Sequence, residues 1–164
     1  MKKILVISNT TFSIQKFRLH YLSKIDQYSF KIYTPKDNAF IKSKSKNIEH
    51  SHFYAKNFIS IFISIFKILK KENPKTIIVY STYFVFILTL FKLLFNFKLI
   101  TVIAGRGSLF FEIFALKEKF LKKIFIFFLN FFNKIIFINP GDFKYFIQNS
   151  NLKEKSYLIP TEGV

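Results

Sequence analysis

The chain of 164 residues holds 26 lysine and arginine residues against nine acidic ones, which gives a net charge of +17, and it contains no cysteine. One domain is expected at this length, and the absence of cysteine excludes both a disulfide framework and a cysteine-based zinc site. The positive charge favours an anionic partner. Because no RNP-type strand, zinc finger or arginine-rich recognition helix is present, a membrane surface is favoured over nucleic acid.

Along the first half of the chain, short apolar runs alternate with amphipathic segments. Strands are predicted over residues 3–8, 30–34, 49–54 and 76–80. A first helix is predicted to extend to about residue 27, with Thr11 or Ser13 as its cap. A second helix covers residues 57–72 and carries a polar stripe of serine and lysine. The polar stretch 38–47 is interpreted as a loop.

The second half continues the alternation. Strands are predicted over residues 100–103, 134–138 and 156–159. Helices are predicted to run up to about residue 97 and over residues 117–133 and 143–149, the last one capped by Asp142. Strands that alternate with helices predict an α/β fold, with a doubly wound parallel sheet covered by helices on both faces.

Three strongly apolar stretches bear on membrane insertion: residues 58–69, 83–100 and 120–138. The first is too short to cross a bilayer. The other two are interrupted by lysine and asparagine, and a lysine at the centre of a membrane helix costs about 2.5–3.5 kcal/mol on insertion scales. We therefore expect helices that are buried or that lie on a surface.

Polar loops follow the predicted strands, at the edge where open parallel sheets bind their ligands. These loops cover residues 9–13, 81–83, 105–108, 139–142 and 161–163. The third loop places Arg106 between Gly105 and Gly107, which suits a phosphate or carboxylate ligand but also suits a plain tight turn. Only Arg18 and Arg106 among the 26 basic residues are arginine, so both are candidates for anion binding.

Three common motifs are missing from these loops. No G-x-G-x-x-G follows the first strand, which disfavours a nicotinamide or flavin dinucleotide cofactor. The chain also lacks the phosphate-binding G-x-x-x-x-G-K-[ST] loop of nucleoside triphosphatases and the G-x-S-x-G elbow of α/β-hydrolases. We predict no cofactor and no metal site.

Five segments in order along the chain carry a resemblance to a known family. They are KKILVISNTTFSIQKFR (2–18), LKKENPKTIIV (69–79), GRGSLF (105–110), FINPGD (137–142) and LIPTEGV (158–164). Together they resemble the N-terminal half of family-4-type glycosyltransferases, the GT-B enzymes that build bacterial capsule, lipopolysaccharide and lipid-linked glycans. The similarity covers essentially the whole chain.

The resemblance implies a Rossmann-like, acceptor-side domain over residues 1–164 of a transferase that works without an essential metal. Its partners would be a nucleotide-sugar donor, a lipid-linked glycan acceptor and the anionic inner face of the cytoplasmic membrane. On this resemblance we expect these residues to lack the family's donor-binding C-terminal domain. Ala104 stands where many relatives carry a cleft histidine. No catalytic residue is therefore assigned. The alternative is a non-catalytic membrane-docking subunit, or a truncated remnant, that needs a separate donor-binding chain.

The predicted substrate-binding residues combine this resemblance with the chemistry of the loops. They are Asn9, Thr10, Thr11, Arg18, Ser81, Gly105, Arg106, Gly107, Asn139 and Glu162. Both arginines are candidates for binding a diphosphate. Backbone N–H groups of the glycine loop and of the 9–11 loop are candidates for stabilising the charge of the leaving group. Glu162 is interpreted either as a contact to a sugar hydroxyl or as an exposed hinge residue. Asn139 is either a ligand contact or a turn residue.

Overall fold

The computed structural model describes residues 1–37, 45–105, 115–147 and 150–159, and for 115–119 the backbone alone. In these ranges seven parallel strands form one sheet in the order β3-β2-β1-β4-β5-β6-β7. The strands are β1 Lys2–Ile7, β2 Tyr28–Pro35, β3 Ile48–Phe53, β4 Thr76–Val79, β5 Lys98–Ile103, β6 Lys134–Phe137 and β7 Ser156–Leu158. The predicted α/β fold with a parallel sheet is confirmed.

Six α-helices connect these strands within the described ranges. They are α1 Thr11–Phe17, α2 Leu19–Ser23, α3 Phe58–Glu72, α4 Thr82–Lys92, α5 Ala115–Leu129 and α6 Pro140–Ile147, and a 3₁₀ turn covers Lys153–Lys155. No helix in the ranges 1–37, 45–105, 115–147 and 150–159 is both long enough and apolar enough to cross a bilayer.

The contacts divide the chain into two compact units, residues 1–78 with 95–97, and residues 79–94 with 98–164. In the first unit β1 lies beside β2, with Lys2 opposite Tyr28, and β2 lies beside β3, with Phe30 opposite Ile48. Leu5 to Ile7 are buried in succession. An unbroken buried run is typical of a parallel strand that is covered on both faces.

Helix α3 of the first unit is defined at both ends by local chemistry. Asn57 and Ser60 form a reciprocal capping box at its start, in which each side chain accepts from the other residue's backbone N–H. At its end Asn73 adopts a left-handed conformation with φ of 40°, which asparagine tolerates better than most residues, and Pro74 prevents the helix from continuing.

A group of four polar side chains, the Glu72 cluster, fixes the end of α3 to the sheet. The Glu72 carboxylate oxygens lie 2.6 Å from Lys3 Nζ and 3.0 Å from Lys31 Nζ, and they accept from the Tyr33 hydroxyl at 2.7 Å. Burial alone would raise the pKa of Glu72, but the three donors outweigh it and lower the pKa to about 2. Burial, followed by the bond to Glu72, raises the pKa of Tyr33 to about 12. Glu72 is therefore a buried carboxylate with its charge compensated.

The second unit has an aromatic core and a lysine that holds a turn. The Phe146 ring lies 5.2 Å from Phe125 and 6.1 Å from Phe137. Lys92, at the end of α4, donates to the carbonyl oxygen of Phe131 and, at 2.9 Å, to Asn133 Oδ1. This lysine, which argued against a membrane span, serves here as a bond donor inside the fold, and burial lowers its pKa.

Several predicted boundaries are wrong. The helix expected to reach residue 27 is two short helices separated at Arg18, and its cap is Thr10 rather than Thr11 or Ser13. Helix α4 ends at Lys92 instead of near residue 97. Helix α6 begins at Pro140, so the buried Asp142 lies in its first turn and does not precede it as a cap. Most of the loop interpreted over 38–47 lies outside the described residues.

Candidate functional site

The connection from β1 to α1 in the first unit is organised around Ser13. The Ser13 hydroxyl lies 3.1 Å from that of Ser8, and the Ser13 backbone N–H donates to the Thr10 hydroxyl at 3.1 Å, which caps α1. The carbonyl oxygen of Ser13 accepts from the Arg18 guanidinium at 2.7 Å. Ser13 thus joins the predicted residues Thr10 and Arg18 into one local network.

Beside this network, five polar side chains form what we call the Thr34 cluster: Thr11, Thr34, Asp37, His50 and His52. Thr11 is fully buried. Its backbone N–H donates to Asp37 Oδ2 at 3.1 Å, and its hydroxyl donates to Asp37 Oδ1 at 2.9 Å. A carboxylate can accept both bonds. Asp37 therefore fixes the first residue of α1 by two contacts.

The direction of the remaining hydrogen bonds in the Thr34 cluster follows from counting donors. The one hydroxyl proton of Thr11 goes to Asp37, so Thr34 donates across the 2.8 Å contact with Thr11. Thr34 then accepts from His50 Nε2 at 2.9 Å and from His52 Nδ1 at 3.2 Å. Nδ1 of His52 also lies 3.2 Å from the Pro35 carbonyl oxygen, which only accepts. Donation therefore runs from the two imidazoles through Thr34 and Thr11 to Asp37.

The imidazoles of the cluster lie close together and partly buried. Their ring centroids are 4.5 Å apart in an edge-on arrangement. Burial lowers the pKa of His50, and the neighbouring His52 lowers it further, while Asp37 acts in the opposite direction. The lowered pKa favours neutral His50 at neutral pH, and the tautomer with its proton on Nε2 can donate to Thr34.

What the Thr34 cluster holds in place is the exposed turn of Asn9 and Thr10. The strands β1, β2 and β3 are parallel neighbours, so the turn after β1 lies at their carboxyl-end edge. Asn9 and Thr10 are exposed at that edge, whereas Thr11 is buried beneath them. The Arg18 guanidinium is half-buried and lies 5.6 Å from the centre of the Phe17 ring. Thr10, Thr11 and Arg18 are therefore held by hydrogen bonds around this turn, and Asn9 directly precedes Thr10.

In the second unit, three predicted residues follow the carboxyl ends of successive strands. Ser81 occupies the N-cap position of α4 and makes no side-chain capping bond. Gly105 follows β5, and among the described residues nothing beyond its chain neighbours lies within 4 Å of where a Cβ would be. Asn139, after β6, is exposed and its Oδ1 accepts from the Gly141 N–H at 2.7 Å. A turn role for Asn139 is thus observed.

Three predicted residues, Arg106, Gly107 and Glu162, lie outside the described residues, as does the 161–163 loop. Sequence reasoning also missed residues that the first unit brings together: Thr34, Asp37, His50 and His52. Alternation of His50 and His52 along a short strand places both on one face, which is a signal that a sequence reading can find. Among the described residues, no three or more histidine, aspartate or glutamate side chains could together hold a metal ion.

The amino-acid sequence matches no protein-family profile and no curated protein. The fold, by contrast, matches solved structures over nearly the whole chain. Sucrose-phosphate synthase from Thermosynechococcus elongatus has a TM-score of 0.72 at 11% identity, over 98% of this chain and 48% of that chain. Anabaena Alr3699/HepE in complex with UDP and glucose has a TM-score of 0.68 at 13% identity, over 98% of this chain and 45% of that chain.

A third similar structure is UDP-N-acetylglucosamine 2-epimerase from Rickettsia bellii, with a TM-score of 0.66 at 16% identity, over 98% of this chain and 45% of that chain. The chain spans about half the length of these proteins. It has the fold of one Rossmann-like half of the GT-B glycosyltransferases.

Proposed function

We propose that this chain is the acceptor-side domain of a family-4-like GT-B glycosyltransferase, which transfers a sugar from a nucleotide-sugar to a lipid-linked glycan. The synthesis of bacterial capsule or lipopolysaccharide, at the inner face of the cytoplasmic membrane, is the proposed setting. The observation that carries the proposal is the anchored turn of Asn9 and Thr10, because open α/β sheets bind ligands at this edge. A donor-binding half is proposed to lie in a further domain or chain.

Within this proposal the residues of the first unit have different tasks. Asn9 and Thr10 contact the acceptor directly, since both are exposed. Thr11 is buried and bonded twice to Asp37, so it acts as a positioning residue. Arg18 binds a phosphate of the lipid-linked acceptor. A guanidinium carries five N–H donors, so its bond to Ser13 is compatible with a bidentate contact to phosphate.

The residues of the second unit are proposed to contact the nucleotide-sugar. Gly105 has no Cβ, so a ligand can approach its backbone closely. Asn139 uses its side-chain oxygen in its own turn, so it offers the amide NH₂ to a ligand oxygen. Ser81, Arg106, Gly107 and Glu162 remain proposed contacts of the same kind.

The test is transfer of labelled sugar from nucleotide-sugars to extracted membrane lipid, by this chain with and without the polypeptide encoded directly downstream. Transfer is expected only when both are present. Arg18→Gln should lower kcat/KM for the lipid acceptor about ten- to a hundredfold, the equivalent of one or two charge-assisted hydrogen bonds. Arg18→Lys should restore part of the loss because it keeps the charge but not the fork.

Lys16→Gln is the matched control, because it removes one positive charge at an exposed position of α1, two residues before Arg18. It should leave kcat/KM within about twofold, as an exposed charge with no phosphate partner contributes little. Equal losses for the two variants would contradict the role of Arg18. Turnover by the isolated chain, or epimerisation of the nucleotide-sugar without transfer, would contradict the proposal itself. Unchanged acceptor KM in Arg18→Gln together with loss of membrane recruitment would instead support a non-catalytic docking subunit.

A further inference from the structure

The outward side of α3 carries an apolar row that continues into a basic end. Ile59, Ile63 and Phe66 are spaced by four and three residues, so they lie on one line along the helix. Lys67 and Lys70 extend this line towards the end of the helix. Ile59 is 68% exposed and Ile63 is 47% exposed. These five residues are the docking face.

The sequence predicted that only a polar stripe of serine and lysine would be exposed on α3, but the exposed side also carries apolar residues. The helix buries Ile65, Ile68 and Leu69 on its inner side. Ser64, which belonged to the predicted polar stripe, is only half-exposed and donates to the Tyr54 carbonyl oxygen at 2.8 Å. The helix therefore presents Ile59 and Ile63 to solvent together with its lysines. A contiguous exposed apolar surface of this kind is typical of an interaction site.

The positive charge at the end of α3 indicates which kind of partner fits the docking face. The only acidic residue of α3 is Glu72, whose side chain is 4% exposed and bonded within the Glu72 cluster. Lys67, Lys70 and Lys71 are exposed at the same end of the helix. A second copy of the chain, at net charge +17, would bring like charges together. An anionic surface with an apolar interior would match both the lysines and the apolar row of the docking face.

We propose that the docking face of α3 binds the surface of an anionic lipid bilayer, with Ile59 and Ile63 among the upper acyl chains and the lysines at the phosphates. The helix has 15 residues and is therefore about 22 Å long, which is less than the ~30 Å of a bilayer's hydrocarbon core. It lies along the surface, as amphipathic interfacial helices do.

The position of α3 connects this surface to the candidate site of the first unit. Phe58 follows the end of β3 after a four-residue connection, and β3 is parallel to β2, which is parallel to β1. The apolar end of the docking face is therefore at the carboxyl-end edge that also carries Asn9 and Thr10. Docking would hold that edge close to a lipid-linked acceptor. This consequence rests on the proposed function, whereas lipid binding itself does not.

The test is binding of the full chain to vesicles of phosphatidylcholine alone or with about 30% phosphatidylglycerol, and no glycolipid. Binding is expected only to the anionic vesicles and should weaken with salt. Lys67→Gln with Lys70→Gln should lower the partition coefficient about 25-fold, because each lysine near an anionic surface contributes about fivefold. Ile59→Ser with Ile63→Ser should lower it at least about tenfold. The charge-conserving pair Lys67→Arg and Lys70→Arg should retain binding.

Matched controls remove the same groups from other exposed positions. Lys144→Gln with Lys153→Gln makes the same change in net charge, and Leu93→Ser with Leu94→Ser removes side chains that are 70% and 72% exposed. Both control pairs should stay within about twofold of the unchanged chain. Equal losses in test and control pairs, or undiminished binding of the α3 pairs, would overturn the proposal.

Three further outcomes separate this proposal from its rivals. A dimer in sedimentation that Ile59→Ser with Ile63→Ser dissociates would show that a second copy covers the face, and would overturn lipid docking. Sugar transfer that persists without any binding to anionic vesicles would overturn the docking face and leave the proposed function standing. Vesicle binding without sugar transfer would overturn the proposed function and leave the docking face standing.

Discussion

Two polar clusters of the first unit share strand β2 but serve different purposes. The Glu72 cluster joins the end of α3 to β1 and β2 through charged groups. The Thr34 cluster joins the turn after β1 to β2 and β3 through hydroxyls, imidazoles and one carboxylate. The first fixes a helix on the sheet, and the second fixes a turn at its edge. Stability and loop position should therefore be separable by mutation.

The largest expected effect is on the Glu72 cluster. Glu72→Gln removes the negative charge that faces Lys31 and leaves a single amide oxygen as an acceptor. We expect a loss of about 2–4 kcal/mol in the free energy of unfolding, because the partly buried Lys31 ammonium loses the nearer of its two carboxylate partners. Urea unfolding measures it. Glu49→Gln is the control: Glu49 lies 3.5 Å from Lys31 but is 71% exposed, and should cost less than about 1 kcal/mol. Equal losses of stability in the two variants would show that the contact between Lys31 and Glu72 is no more stabilising than the contact between Lys31 and Glu49.

Acid should remove the same cluster. The pKa of Glu72 is lowered to about 2 from an ordinary value of 4.5, so in the unfolded chain this carboxylate binds a proton first as pH falls. Its contribution is complete above about pH 4.5 and disappears as pH falls through about 2, with a size on the order of 3 kcal/mol. Urea unfolding at stepwise lower pH should show this loss, and Glu72→Gln should remove it. An identical acid profile in the variant would refute the assignment.

Next in size is the central hydroxyl of the Thr34 cluster. Thr34→Val leaves the imidazole donors and Thr11 without their shared partner, and should cost about 1–3 kcal/mol. It should also speed hydrogen exchange at the Thr11 amide. Thr89→Val removes another buried hydroxyl, which donates to the Val85 carbonyl oxygen at 2.8 Å in the second unit. That control should lose stability without faster exchange at Thr11; if it speeds exchange equally, the cluster does not position the turn.

The smallest expected effect is the pH response of His50. Its pKa is lowered in the folded chain, so the unfolded chain binds a proton first when pH falls below about 6.5. The free energy of unfolding should therefore decline modestly from neutral pH downward, well above the range in which Glu72 titrates. His50→Gln should flatten this decline. A slope that is the same in His50→Gln and in the unchanged chain would assign the response to another group.

Much of the sheet could be predicted from sequence because its strands are short apolar runs that contain β-branched residues, bounded by polar turns. The break at Arg18 could not, since arginine suits a helix interior and the break accompanies a bond from its guanidinium back to the Ser13 carbonyl oxygen. Asp37 was missed because its contacts with Thr11 join residues 26 positions apart. No local motif reports such a contact. The exposed turn itself was predicted, but the residues that anchor it were not.

The end of α4 is a second boundary that the local sequence could not predict. The apolar run continues past Lys92, so hydropathy extended the helix to about residue 97. The helix ends where Lys92 meets the carbonyl oxygen of Phe131 and Asn133 Oδ1, and Leu93 and Leu94 are left exposed. This boundary coincides with contacts to residues 39 and 41 positions later in the chain.

The Glu72 cluster also sets the rotational phase of α3. Each residue turns the helix by about 100°, so Ile63, nine residues before Glu72, points about 180° away from it. With Glu72 held against the sheet, the opposite side must carry the docking face. A single residue inserted between Lys70 and Glu72 would rotate that face by about 100° while leaving its composition unchanged. The angle at which one end of the helix is tied therefore determines what its other end presents.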